Sequence, residues 1–524
     1  VVLALINSVM TQKRSFSWFK IGMIAVFLLS LALRFWGLGR FNTLVFDEVY
    51  YAKFAQNYLS QTSFFDGHPP LGKYIIAIGM WLSSYFPFWQ DTVNVLTGVA
   101  RPPWSYRWIN ALFGAFIPLI ISGIAYQLSY RRSFAFLAGL FTACDGIFLV
   151  ESRYALINQY IVIFGLLGQW LLLLALANTK KQRRFYLIFS GISFGAAIAT
   201  KWNGLFFLIG VYLNWMLAWL KQHFALKNRD DQINLIDNAS FYLSSTELRQ
   251  STATLNITQE TTSKPLFFPL QKIAQLKIFT AAFYLGIIPL IAYSLIWIPH
   301  IIQNPKYNFI KVHTQILSFH NRLGGNTNDI HPYCAAWYKW PLLIRPIAYF
   351  YQTASNVNEP IPIVGPPLPS NAGKVIYDVH AMGNPFLWWF SFAAILILIV
   401  AILLKQIVIP SIQQKRLSLN SPFSIDIGIA LYLVLNYAAN LLPWVKVNRC
   451  VFIYHYMTAV VFAFMALAWL IDKCLRSYHI EIRAFGLTVI FLIIIAFVFW
   501  MPIYLGLPLS ADGYKLRMLF TSWI

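Results

Sequence analysis

"WFKIGMIAVFLLSLALRFWGLGRFNTLVFDEVYYAKFAQNYLSQTSFFDGHPPLGK" (Trp18–Lys73) opens with an apolar run and then sets Asp47, Glu48, Asp66, His68 and Lys73 just past its end. A membrane helix needs about 20 apolar residues, and this run supplies them. Ten similar runs follow, so the expectation is eleven spans: about 18–37, 106–128, 133–150, 158–177, 185–200, 203–221, 277–299, 386–408, 424–444, 452–472 and 484–506. The 524-residue chain is 58% hydrophobic and 11% charged, with a mean hydropathy of +0.60. Soluble domains carry roughly 25% charged residues. The chain therefore reads as an all-α polytopic membrane protein.

The basic residues orient the spans. Lys13, Arg14 and Lys20, then Arg131 and Arg132, "KKQRR" at 180–184, Lys405, Lys415 and Arg416, and Lys473 and Arg476 all fall on one side if the N-terminus is cytoplasmic. An odd number of spans then puts the C-terminus outside, with Phe46–Lys73 on the same outer side. The formal charge of +22 is thus a topology signal, and no nucleic-acid partner is expected. The start "VVLALINSVMTQKRSF" places its charges after its apolar residues, the wrong order for a signal peptide. It suggests an alternative start codon, with Met10 as a second candidate. Of the four cysteines, Cys334 and Cys450 both fall outside, where a disulfide could join them.

Three regions lie between spans. Residues 1–300 form an N-terminal membrane module with an external loop at 38–105 and a polar insertion at 222–276. The insertion is expected to be cytoplasmic and partly disordered, which makes the sequons at Asn238 and Asn256 chance matches. Residues 301–385 form a second external loop, and 386–524 a C-terminal region of three to four spans. In the first loop, Tyr51, Ala55, Tyr58 and Leu59 recur at helical spacing, opposite Lys53, Gln56 and Asn57. That pattern predicts an interfacial helix. A second short helix is expected over 71–86, the two making a lid hinged at Asp66–Pro70.

Asp47 and Glu48 have a bland explanation in helix capping. They also suit a general base at the membrane surface, where partial desolvation raises a carboxyl pKa. Glu151, Arg153, Lys201, Lys446, Arg449 and His455 sit at the external ends of spans, against the positive-inside trend. Snorkelling explains any one of them. Several together beside an acidic pair point to a bound anion, and Arg suits phosphate well. A lipid-linked phosphate fits, with its tail in the bilayer and its head among the cations. A transporter would place such charges nearer the midplane.

"FDEVYYAKFA…FFDGHPPLGK" resembles the first loop of the protein O-mannosyltransferases. "VESRYALIN", "GAAIATKWNGLF", "HPYCAAWYKWPLLIRPIAYFY", "MGNPFLWW" and "LLPWVKVNRCVFIYHYM" are similar to later blocks of that family, in its order, from about residue 20 to the C-terminus. The resemblance implies a GT-C glycosyltransferase fold. It implies inverting transfer of mannose from a polyprenyl (dolichyl-type) phosphate-mannose donor to Ser or Thr of exported proteins. Asp47 would be the catalytic base, with Glu48 beside it. Arg153, Lys201 and Arg449 would contact the donor phosphate. Asp66, His68 and Lys73 would order the loop or the acceptor side. The chain would lie in the cell membrane with its active site outside. A second copy of the chain or the secretion machinery are further candidate partners. No cofactor is required by this chemistry; His313, His320, His331 and His380 are the place to look for a divalent metal. Two departures stand out. The loop after the seventh span is too short for the MIR domain of eukaryotic members, which favours the bacterial type. Asn158 also stands where the family pattern leads one to expect Asp.

The alternatives are a GT-C enzyme that moves another lipid-linked sugar or uses a glycolipid acceptor, a lipid transporter, and an inactive scaffold.

Overall fold

The computed structural model describes residues 2–86, 93–242, 269–325, 331–355, 359, 361–364, 373–405 and 424–524. Among these, nine helices are long and apolar enough to cross a membrane, and a bent pair brings the number to ten. The expected eleven is not reached among the described residues, although each expected span contains helix. The missing one is Lys180–Thr200, whose first turns are "KKQRR" and whose apolar part is too short.

The first half runs α1 (Val2–Phe35), α2 (Glu48–Leu59), α3 (Leu71–Ser83), α4 (Pro103–Ala115), α5 (Ile117–Ser129), α6 (Arg132–Ala143), α7 (Gly146–Arg153), α8 (Asn158–Ala177), α9 (Lys180–Thr200) and α10 (Leu205–Tyr242). The expected third span is really two helices, α6 and α7, bent by 59°. Asp145 explains the break. One carboxylate oxygen caps α7 at the Phe148 amide (3.1 Å), and the other accepts from the Asn384 amide (3.1 Å) and the Trp388 indole (2.8 Å). This buried anion is stabilised only where the chain turns and frees its amides. The break aims Glu151 and Arg153 inward.

Between α1 and α4 the two expected loop helices form, and the turn expected to hinge them is packed in place. Gly67, Pro69 and Pro70 are buried. Lys73 pairs with Asp66 and donates to the His68 carbonyl at 2.8 Å, closing the turn on itself. Helix α3 lies so close to the α7–α8 turn and the end of α9 that a Cβ on Gly72 would meet Ile157 at 2.6 Å. The polar face expected for α2 is partly wrong as well. Gln56 and Asn57 are buried, because Arg101 donates to Gln56 (2.9 Å) and Gln303 to the Asn57 carbonyl (2.9 Å).

In the second half, α11 (Ile278–Ala282) and α12 (Ile288–Gln303) make one span, and α13 (Phe309–Arg322) is an amphipathic helix in the loop that follows it. Before α4 the chain makes a short antiparallel hairpin of β1 (Asn94–Leu96) and β2 (Val99–Arg101); the loop that holds α13 contributes antiparallel β3 (Ile347–Ala354) and β4 (Val375–Ala381), and Leu509–Ser510 pairs antiparallel on the far edge of β4. The C-terminal spans are α14 (Pro385–Leu403), Ile425–Leu441, Met457–Leu475 and Ile480–Leu505. Met457–Leu475 is the central helix, buried from Met457 to Trp469. Cys334 and Cys450 form a disulfide, with Cα atoms 5.2 Å apart. Of the polar insertion, α10 continues as helix to Tyr242, where partial disorder was expected. Residues 243–268, with Asn256, lie outside the described residues.

Candidate functional site

Asp47 stands at the N-terminus of α2, but its side chain caps nothing. Its backbone is already in the helical region (φ −68°, ψ −1°), so the capping explanation does not hold. The residue before it, Phe46, has φ +52°. A bulky residue there is strained. Phe46 is held by stacking on Tyr349, with ring centroids 4.1 Å apart and planes 6° apart. The kink turns Asp47 away from the backbone amides and towards a group of charges. Its carboxyl is pushed up to about 6, first by desolvation, against the opposing pull of Lys201 and with help from Asp66.

Glu48 faces the other way and is fully buried. It takes both ends of the Arg107 guanidinium (2.9 and 2.7 Å) and the amides of Val45 and Ala155 (2.8 Å each). Arg107 also donates to the carbonyls of Leu38, Phe41 and Thr43. Glu48 was expected beside Asp47 in the chemistry. The structure instead commits all four of its hydrogen bonds to tying the loop that carries Asp47 to Arg107 on α4 and to the α7–α8 turn. It positions that residue and does not face the same charges.

Lys201, at the end of α9, is the cation facing Asp47. Its ammonium donates to Asn158 (2.8 Å) and lies 5.3 Å from the centre of the Tyr454 ring. Burial lowers its pKa to about 8, with Asp47 opposing and Arg449 reinforcing the shift. Arg449 is partly buried, donates to the Cys450 carbonyl (3.1 Å) and acts electrostatically on Lys201, His68 and His320. Its backbone makes an isolated antiparallel bridge to Gly325. Neither cation has a salt bridge within 4.0 Å among the described residues. Two uncancelled cations beside a protonatable carboxylate are what an anionic leaving group needs.

Asp66, His68 and Lys73 lie on the same side. The Asp66–Lys73 pair is internal to the turn. The His68 ring is held neutral, first by desolvation and then by Lys201, His320, Lys73 and Arg449. His320 reaches over from α13, bonding the Gly67 carbonyl at 2.9 Å. Arg153 does not join this group. Its guanidinium is buried against the last turn of α1, donating to the carbonyls of Leu33 (2.7 Å), Arg34 (3.2 Å) and Trp36 (2.7 Å). The carbonyl end of a helix attracts a cation, and that explains its place without a phosphate. Lys446 is exposed, and His455 is packed between Trp340 and Trp444.

The four histidines of the loop between α12 and α14 are dispersed. His313 bonds Tyr293, His331 accepts from the Tyr333 amide, and His380 pairs with Asp378. Among the described residues no three His, Cys, Asp or Glu side chains are grouped to hold a metal.

Several members of the site escaped the sequence. Arg107 is an ionisable residue inside an apolar run, a signal that calls for a partner. Tyr51, Tyr349 and Tyr454 wall the charges and look like ordinary interfacial aromatics in sequence. Asn158 links Lys201 to Glu151, and nothing in its spacing announces that.

Two family models match the chain. Residues 24–246 match that of dolichyl-phosphate-mannose-protein mannosyltransferase, and residues 305–523 match that of the C-terminal four TMM region of protein-O-mannosyltransferase. Two proteins named polyprenol-phosphate-mannose–protein mannosyltransferase are similar over almost the whole length. The one from Corynebacterium glutamicum is 22% identical, over 98% of this chain and 94% of the relative. The one from Mycolicibacterium smegmatis is 23% identical, over 92% and 88%. Among solved structures, the Saccharomyces cerevisiae protein O-mannosyltransferase Pmt1-Pmt2 complex bound to the sugar donor superposes with a TM-score of 0.70 at 14% identity. That match covers 97% of this chain and 92% of the other. The likeness shows a shared GT-C fold.

Proposed function

Because this chain belongs to the protein O-mannosyltransferase family, we propose that it moves a mannosyl residue from a polyprenyl-phosphate carrier to Ser or Thr hydroxyls of exported proteins, with Asp47 as the base. The observation that carries the mechanism is Asp47 itself: uncapped, partly desolvated and facing Lys201. The acceptor oxygen attacks the anomeric carbon from the face opposite the phosphate. Its proton passes to Asp47. The bond to the phosphate oxygen breaks, and its electron pair leaves with the lipid phosphate. One displacement inverts the centre, by the logic of one-step glycoside hydrolysis with a hydroxyl in place of water. Lys201 and Arg449 receive the charge that builds on the phosphate. Asp66, His68 and Lys73 shape the adjoining turn on the acceptor side. The basic residues of the inter-span loops favour a cell membrane location with the N-terminus cytoplasmic and the site outside.

The pH profile follows from this assignment. Asp47 must be ionised to accept a proton, and its pKa is raised to about 6. Below that, kcat/KM should fall about tenfold per pH unit. Lys201 must be protonated, and its pKa is lowered to about 8. Above that, the rate should fall again. A profile flat between pH 5 and 7 would remove Asp47 as the base.

The test of the function is direct. Radiolabelled polyprenyl-phosphate-mannose and a Ser/Thr-rich peptide are offered to the purified protein in detergent, with and without EDTA. Label should move to the peptide at the same rate in both. Label found in a lipid extract instead would make the acceptor a glycolipid. Loss of transfer in EDTA, restored by a divalent ion, would bring a metal into a mechanism that here gives that work to Lys201 and Arg449.

A further inference from the structure

Behind Lys201 lies a chain of buried polar groups that the mechanism above does not use. The Lys201 ammonium donates to Asn158 Oδ1 at 2.8 Å. Asn158 Nδ2 faces both carboxylate oxygens of Glu151 at 3.2 Å. Tyr349 donates its hydroxyl to Glu151 from β3. All four side chains are buried.

The chemistry of the middle member is specific. A carboxamide accepts on one atom and donates on the other, so it can serve an ammonium and a carboxylate at once without carrying charge. An ionised Asp at 158 would still accept from Lys201. It would, however, set a second anion against Glu151 and place a counter-charge on the ammonium. An apolar residue would leave buried groups on both sides without partners, which is costly. Where the resemblance leads one to expect Asp, this chain already has the Glu151 carboxylate at the same spot, and Asn158 therefore holds Lys201 in place while adding no second negative charge.

We infer that Asn158 is a positioning residue that aims the Lys201 ammonium and keeps its charge uncancelled for an incoming lipid phosphate. This rests on the donor-phosphate role proposed for Lys201. Attraction for the anion is then governed by a neutral side chain that does not itself touch the anion.

The first readout is binding of polyprenyl phosphate, without sugar, to the full-length protein in detergent. Asn158→Asp should bind at least tenfold more weakly than the native chain. In a Lys201→Met background the same substitution should change binding by less than twofold, because its effect runs through Lys201. With polyprenyl-phosphate-mannose as donor, Asn158→Asp should raise KM and also lower kcat, because Lys201 both binds the phosphate and receives the charge that builds on it.

Both limbs of the pH profile should also move to higher pH. Asp47 is faced by Lys201, Asp66, Glu151, Tyr51, Tyr349 and Tyr454, and Lys201 by Asp47, Arg449, Glu151 and Asp66. One more carboxylate among them favours the protonated form of each. If Asn158→Asp does not fold, Asn158→Leu carries the test, since it removes the aim without adding charge and should also bind more weakly. Native-like binding by either folded variant overturns the inference, as does an undiminished effect in the Lys201→Met background. A native chain that binds the lipid phosphate yet moves no mannose counts against the proposed function alone.

Discussion

Asp47→Asn should lower kcat by about 10²–10⁴-fold, the usual worth of a positioned base, while donor KM stays within a few-fold of native. The carboxamide has the same shape but cannot take the acceptor's proton. The usual objection to such a variant is damage to the fold, and here it is weak. The Asp47 side chain caps no amide, so its replacement breaks no hydrogen bond that holds α2. The variant should insert, purify and resist heat like the native chain. Activity within tenfold of native would end the assignment of Asp47 as base, whatever the family.

The largest effect on stability is expected one residue further on. Removing one partner of a buried ion pair typically costs about 3–5 kcal/mol, and Arg107→Leu would do so to Glu48. The loss here should not be recoverable by removing the other partner. Apolar residues in place of an isolated buried pair are often tolerated. This pair also holds the carbonyls of Leu38, Phe41 and Thr43 and the amides of Val45 and Ala155. Glu48→Leu with Arg107→Leu leaves all five backbone groups unmet, so the double variant should be no more stable than Arg107→Leu. Thermal inactivation in detergent compares them. A double variant restored to native stability would show that the ion pair matters only to itself.

The sequence exposed what the bilayer makes expensive. Asp47, Lys201 and Arg449 were visible because charges at the outer ends of apolar runs need a reason, and the first-loop blocks resemble those of a known family. Direction was not visible. Arg153 sits at a span end like Lys201, yet the break at Asp145 turns it onto the carbonyls that end α1. Glu48 looked like a twin of Asp47 because adjacent residues share a sequence context. On a helix, however, neighbours point about 100° apart, and the positive φ at Phe46 fixes which of the two meets Lys201. The spans were legible by length and hydropathy. The bend between α6 and α7 was not, because Asp145 reads as one tolerated polar residue until its partners on α14 are known.

The Cys334–Cys450 bond has a consequence for provenance. Disulfides persist where the surroundings are oxidising, outside the cytoplasm. A chain isolated with this bond intact has had both cysteines on the extracytoplasmic side, and Arg449 is the neighbour of one of them. The bond thus keeps a chemical record of which way round the protein was inserted, independent of any count of lysines and arginines. Alkylation before and after reduction reads that record.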